Sequence, residues 1–240
     1  MNDYFLVKNL FNYEKVVAPP KNLPTHLKTV YVTDTLENVT LAKELGWNYI
    51  KRVTQYEHIV DPIERRRLIA FINSYPLKTV PELENPRYVF ICDSNIDSLW
   101  LNYEKFVNSC EDKYALFVTS GFFQGDRDNL EIECQHSCGT PRWSYNHKEI
   151  RESTDRYKLI LEDNKINYNE LSIVSAKYIG WNVQHPMFEK LSDILFDEYN
   201  QNIQGNIILT YMSGLYSEFI YNYYDNDYSG GKVNKHNFQS

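Results

Sequence analysis

At 240 residues the chain is long enough for one large domain with a substantial core, and its 42% hydrophobic and 24% charged content is that of a soluble globular protein. The net charge of −7, with Lys and Arg scattered among more numerous acids, argues against nucleic acid as the main partner. No apolar segment approaches the ~20 residues that span a bilayer, and the first residues lack the pattern of a signal peptide, so a cytoplasmic location without a membrane span is expected.

Asp3 to Val7 is a short apolar stretch that predicts a first strand, and the three prolines between Lys15 and Pro24 predict a loop. Thr29 to Thr33 is β-branched and aromatic, a second strand. Asp34 and Thr35 follow, either able to cap a helix over Leu36 to Leu45 that Gly46 ends. Tyr49 to Val53 reads as a further short strand. Asp61-Pro62-Ile63-Glu64 joins an N-cap acid, a proline at the first helical position and a Glu at the third. The helix it opens runs to about Ser74, with Leu68, Ile69, Ile72 and Tyr75 as its apolar stripe and Arg65, Arg66 and Arg67 fanned around the other side.

Tyr88 to Cys92 is an unbroken apolar run, the mark of a strand covered on both faces. Ser98 to Asn108 predicts a helix and Tyr114 to Thr119 another buried strand. Gly121 to Ser144 is long, polar and without clear periodicity, and is read as a functional loop. Cys134-Gln-His136-Ser-Cys138 within it offers three zinc ligands at most; reduced thiols are the better reading. Tyr145 to Asn164 predicts an amphipathic helix, Leu171 to Trp181 a strand, Pro186 to about Tyr199 a helix and Ile207 to Tyr224 a last helix. The expected organisation is a single domain over 1–224 and a flexible tail or linker over 225–240.

Strands alternating with helices imply an α/β fold with a mainly parallel sheet flanked by helices, whose ligands sit beyond the carboxyl ends of the strands. Four apolar runs end in polar or small residues: Lys8-Asn9, Thr33-Asp34, Asp93-Ser-Asn95 and Ser120-Gly121. Parallel strands would bring all four to one crevice. Neither Gly-rich phosphate loop is present, so backbone amides are not the expected anchor for a phosphate. A carboxylate at the mouth of a buried strand must be paired or hold a metal. Asp93 and Asn95 are therefore read as ligands of Mn²⁺ or Mg²⁺, with phosphate oxygens and waters completing the shell.

Tyr88-Val-Phe-Ile-Cys-Asp93-Ser-Asn95-Ile resembles the metal-binding strand end of GT-A fold nucleotide-sugar glycosyltransferases. It is similar to that of small polysaccharide transferases and of the capsid glycosyltransferases of large algal DNA viruses. The resemblance covers Tyr4 to about Tyr211 by order of elements, including Tyr31-Val-Thr33-Asp34 and the Asp61 to Arg67 segment. It implies a GT-A (Rossmann-like) fold, a nucleoside-diphosphate sugar donor, UDP-linked, and a glycan or glycoprotein acceptor. It places Asp93 and Asn95 on the cation, Thr33 and Asp34 near the nucleoside, and Arg65, Arg66 or Arg67 near the phosphates. Arg127 to Glu133 resembles an acceptor-side stretch, making Glu131 and Glu133 the candidate base or acceptor contacts. A His-Pro that often precedes that stretch is replaced by Gly121-Phe-Phe, and a late Arg-Asp-Gln by Gln204-Gly-Asn206. His136, His147 and His185 are weighed as further metal ligands, and Trp143, Trp181 and Tyr145 as sugar-stacking rings. The rival readings are a metal-dependent phosphatase or phosphotransferase with Asp93 as nucleophile, and a non-catalytic carbohydrate-binding protein of the same fold.

Overall fold

The computed structural model describes residues 2–10, 15–21, 23–54, 61–94, 103–120, 129–140, 146–202 and 204–224. Side chains of successive strand residues point to opposite faces, and here both faces are apolar. Tyr4 and Leu6 of β1 (Asn2–Asn9), Val30 and Val32 of β2 (Leu27–Thr33), and Val89 and Ile91 of β4 (Pro86–Asp93) enter one core. Phe5, Val7, Tyr31, Tyr88, Phe90 and Cys92 enter the other. The unbroken apolar run of Tyr88 to Cys92 is thus covered on both sides.

With β3 (Ile50–Arg52), β5 (Leu116–Ser120), β6 (Val174–Asn182) and β7 (Ile220–Tyr224), the strands form one sheet in the order β3-β2-β1-β4-β6-β5-β7. Only β6 runs against the rest, pairing antiparallel with both β4 and β5. The other pairings, β1 with β2 and β4, β2 with β3, and β5 with β7, are parallel. The first core receives helices α2 (Pro62–Ser74), α5 (Leu130–Gly139), α6 (His147–Asp163), α7 (Phe188–Gln201) and α8 (Gly205–Leu215). The second receives α1 (Leu36–Glu44) and α4 (Tyr103–Asn108). A short α3 (Pro76–Thr79) follows α2 after Tyr75-Pro76 stops it. The expected mainly parallel α/β sheet flanked by helices is the observed one.

Local signals hold at the first two helices. Thr35, not Asp34, caps α1, its side chain accepting from the Asn38 amide at 3.2 Å. Gly46, at φ 94°, closes that helix: its N–H reaches Lys43 O and the Trp47 N–H reaches Ala42 O, both at 3.0 Å. Asp61 Oδ1 accepts from the Glu64 amide at 3.3 Å and starts α2.

Two predicted elements are corrected. The expected loop over Gly121 to Ser144 contains α5, capped by Asn129, whose Oδ1 accepts from the Ile132 amide at 3.1 Å. Its buried residues, Leu130, Glu133, Cys134 and Ser137, fall at helical spacing, but two of the four are polar, so no apolar periodicity shows. The expected last helix over Ile207 to Tyr224 splits into α8 and β7, turned by the Phe219 and Ile220 amides onto Tyr216 O. Gly214 falls in the last turn of α8 and Ser217-Glu218 in the break, while the alternating aromatic Ile220-Tyr-Asn-Tyr-Tyr224 favours a strand. The helix expected over Ser98 to Asn108 is seen from Tyr103, 98–102 lying outside the described residues, as does the expected tail over 225–240.

Candidate functional site

In a sheet of this kind ligands bind where the strand order reverses. Here the chain lays β2 and then β3 on one side of β1 before β4 pairs on its other side, so the switch point lies between β1 and β4. The parallel directions of β1, β2, β4 and β5 bring Lys8-Asn9, Thr33-Asp34, Asp93-Ser94 and Ser120 to the same edge of the sheet.

At the switch point Lys8 and Asp93 are register partners. Their side chains form an ion pair, Lys8 Nζ to Asp93 Oδ1 at 3.1 Å, with Lys8 2% and Asp93 23% exposed. The Ser94 amide donates to Lys8 O at 2.9 Å and turns the chain there. Lys8 Nζ also donates to Asn73 Oδ1 of α2. Asn73 is fixed from three directions, because its Nδ2 donates to the Tyr199 hydroxyl of α7 at 3.3 Å and its carbonyl accepts from the buried Trp181 indole at 2.6 Å. Burial pushes the Tyr199 phenol up to about 12, with Arg66 pulling it down and Asp93 pushing it up. Arg66 and Asp93 therefore act on the same hydroxyl.

The three consecutive arginines diverge, as helical geometry requires of neighbours about 100° apart. Arg65 bridges Asp34 Oδ2, at 2.8 Å, and the Leu10 carbonyl. The charge of Arg66 is felt at the Tyr199 hydroxyl. Arg67 is half exposed and pairs with Glu64 one turn back. Asp34 is thus buried as the counter-ion of Arg65, and Thr33 Oγ1 accepts from Asn38 Nδ2 at 3.2 Å. Asn9, fully buried, donates to the Tyr31 hydroxyl at 2.6 Å, while its Oδ1 has no hydrogen-bond partner among the described residues. A hollow of about 740 Å³ runs from Thr35 along the face of α1 that carries Glu37, Asn38, Leu41 and Glu44, with Lys15-Val16 opposite.

The two candidate acids of α5 face different partners. Glu131 is gripped by Lys158 and by Arg151, the latter at 2.8 Å, both on α6. The Lys158 hydrogen bond is the main cause that holds its carboxyl down at about 2, from 4.5. Glu133 is buried and accepts from Asn206 Nδ2 of α8 at 3.0 Å; Asn206 Oδ1 in turn accepts from the Ala176 amide of β6 at 2.9 Å. Gly205, next to Asn206, packs against the Tyr199 hydroxyl so closely that a Cβ would collide with it. Polar contacts and close packing thus run from Asp93 through Lys8, Asn73, Tyr199 and Gly205-Asn206 to Glu133.

The expected Mn²⁺ or Mg²⁺ fits the described residues poorly. Hard cations of this kind are held by several oxygens. Asp93 is one carboxylate whose charge Lys8 already compensates, Asn95 lies outside the described residues, and no group of three His, Cys, Asp or Glu among the described residues could hold a metal. Cys134 and Cys138 are thiols on α5, and burial pushes Cys134 up to about 11. Trp143 and Tyr145 also lie outside the described residues, and Trp181 is a core residue.

Lys8, Asn73 and Tyr199 received no role from the sequence. The signal available was Lys8 itself, a charged residue ending an apolar strand as Asp93 ends another. Asn73 and Tyr199 carry no sequence mark, because their importance comes from packing between α2 and α7.

The described core is α/β with a Rossmann-like crevice at the β1/β4 switch. No family model matches the chain, and no curated protein matches it in sequence. Its structure is similar to that of mouse xyloside xylosyltransferase 1 in its apo form, at 11% identity, covering 92% of this chain and 85% of that one with a TM-score of 0.48. It is also similar to CMP:2-keto-3-deoxy-manno-octonic acid synthetase complexed with CTP, at 7% identity, covering 94% and 90% with a TM-score of 0.42. Likenesses this slight transfer neither activity nor site residues.

Proposed function

We propose that this chain is a glycosyltransferase that binds a nucleoside-diphosphate sugar across the carboxyl ends of β1, β2 and β4 and passes the sugar to a glycan or glycoprotein acceptor. The observation that carries this reading is the Lys8–Asp93 pair at the switch point, with the Asp34–Arg65 pair at the neighbouring strand end. Arginine matches phosphate geometry, and Arg66 is the cation for the diphosphate. Its charge stabilises the leaving group as the glycosidic bond breaks, the stage at which fixed positive charge is most effective. The hollow beside Thr35 and Asn38 takes the nucleoside, and the acceptor approaches from the α5 side.

Glu133 is the acid to test as base or acceptor contact. Glu131, held near 2 by Lys158 and Arg151, is too weak a base at neutral pH. The divalent ion that the GT-A resemblance implies would be held by Asp93 and Asn95 and would supply positive charge to the diphosphate. The phosphotransferase alternative is weakened because Asp93 faces an ammonium instead of a free approach to phosphorus.

A thermal-shift screen of UDP, GDP, CDP and ADP tests the reading. UDP is expected to raise Tm in the wild-type protein and to lose most of that effect in Arg66→Ala. No response to any nucleoside diphosphate, or an unchanged UDP response in Arg66→Ala, would contradict it.

A further inference from the structure

The strand end that the sequence marks as a cation site holds a lysine. Lys8 Nζ stands 3.1 Å from Asp93 Oδ1, is 2% exposed, and is fixed from behind by Asn73, itself anchored to Tyr199 and Trp181. Such an ammonium does not readily swing out to make room, because leaving would strand the buried Asn73 Oδ1 without its donor. A divalent ion arriving at Asp93 would meet an ion pair whose net charge is near zero, not an anion. No group of three His, Cys, Asp or Glu among the described residues could hold such an ion.

We propose that Lys8 permanently neutralises Asp93 in place of a divalent metal, so that this site binds its nucleoside diphosphate without one. Lys8 is a positioning residue: it keeps the carboxylate from repelling the diphosphate. The same pairing leaves Asp93 Oδ2 as an acceptor for a hydroxyl group of a bound sugar. This rests on the glycosyltransferase reading above and departs from the metal that the GT-A resemblance implies.

The test is calorimetric titration of the intact protein with UDP in EDTA and again in MnCl₂. The dissociation constants are expected to agree within about twofold. Binding lost in EDTA and restored at least tenfold by Mn²⁺ would overturn the proposal while leaving the donor reading intact. Absence of UDP binding in both buffers would overturn both. Lys8→Met supplies a readout that a purely structural role would not move. Its UDP affinity in EDTA is expected to fall at least tenfold and to recover in part with Mn²⁺, because Asp93 is then an uncompensated carboxylate. Wild-type affinity of a folded Lys8→Met in EDTA would overturn the assignment to Lys8.

Discussion

Burial decides which half of the Lys8–Asp93 pair the fold tolerates losing. Removing Asp93 leaves an ammonium with 2% exposure and, among the described residues, Asn73 as its side-chain partner, whereas removing Lys8 leaves a carboxylate that is 23% exposed and can take up water. Asp93→Asn is therefore expected to cost about 3 kcal/mol and Lys8→Met about 1–2 kcal/mol, discounted for solvation. Urea denaturation of the two variants checks the order; a more damaging Lys8→Met would contradict it. Glu131 gives a pH signature of its own. Its carboxyl is depressed when folded, so its contribution is present above the unfolded value of 4.5 and is lost as pH falls towards about 2. Stability should decline across that window, and Lys158→Met should flatten the decline; an unchanged slope would contradict the pairing. At this scale the sequence marked Asp93, Asp34 and the arginines as residues at one end of the sheet, and Asp34 and Arg65 meet there as an ion pair. What the sequence withheld was partnership, since a carboxylate reads the same whether a metal or a lysine stands opposite it.

Among the elements, the clearest sequence marks are caps and closures. Gly46 adopts φ 94° at the end of α1, in a region costly to residues with a Cβ, so Gly46→Ala is expected to cost about 1 kcal/mol. Asn129→Ala, removing the cap of α5, is expected to cost a similar ~1 kcal/mol and to disturb the adjoining Glu133. Far-UV circular dichroism with thermal melts reads both; full stability in either would contradict the assigned cap. Gly180 is different in kind. It faces Phe90 across β4 and β6, and a Cβ there would meet the buried ring at 2.8 Å. The strands and helices with a clean apolar period were readable. Those whose buried face includes polar residues, as α5 does with Glu133 and Ser137, were not, because burial of a polar group depends on partners elsewhere in the chain. The break between α8 and β7 was hidden because Ser217-Glu218, which mark it, are few enough to pass as the polar face of one continuous helix.

At the scale of the molecule, the sheet's two apolar faces fix the helices on both sides and leave only its edges for function. The order β3-β2-β1-β4 puts the reversal beside Lys8 and Asp93, and the antiparallel β6 lies on the far side of β4. Alternating strand and helix signals were enough to expect a mainly parallel sheet and a shared crevice; the direction of β6 left no trace in its sequence. A second concavity, of about 330 Å³, is lined by Tyr4, Lys28, Tyr49, Val80 and Glu82. Lys28 and Glu82 give it both charge signs, and it lies along the amino-terminal half of β1 and β2, away from the switch point. The two places offer a direct choice for a bound nucleotide. A crystal structure of the protein soaked with UDP is the measurement that decides it: the diphosphate is expected between the ends of β1 and β4, beside Arg66 and the Lys8–Asp93 pair, and density in the Tyr4–Glu82 concavity with that pair untouched would contradict the assignment.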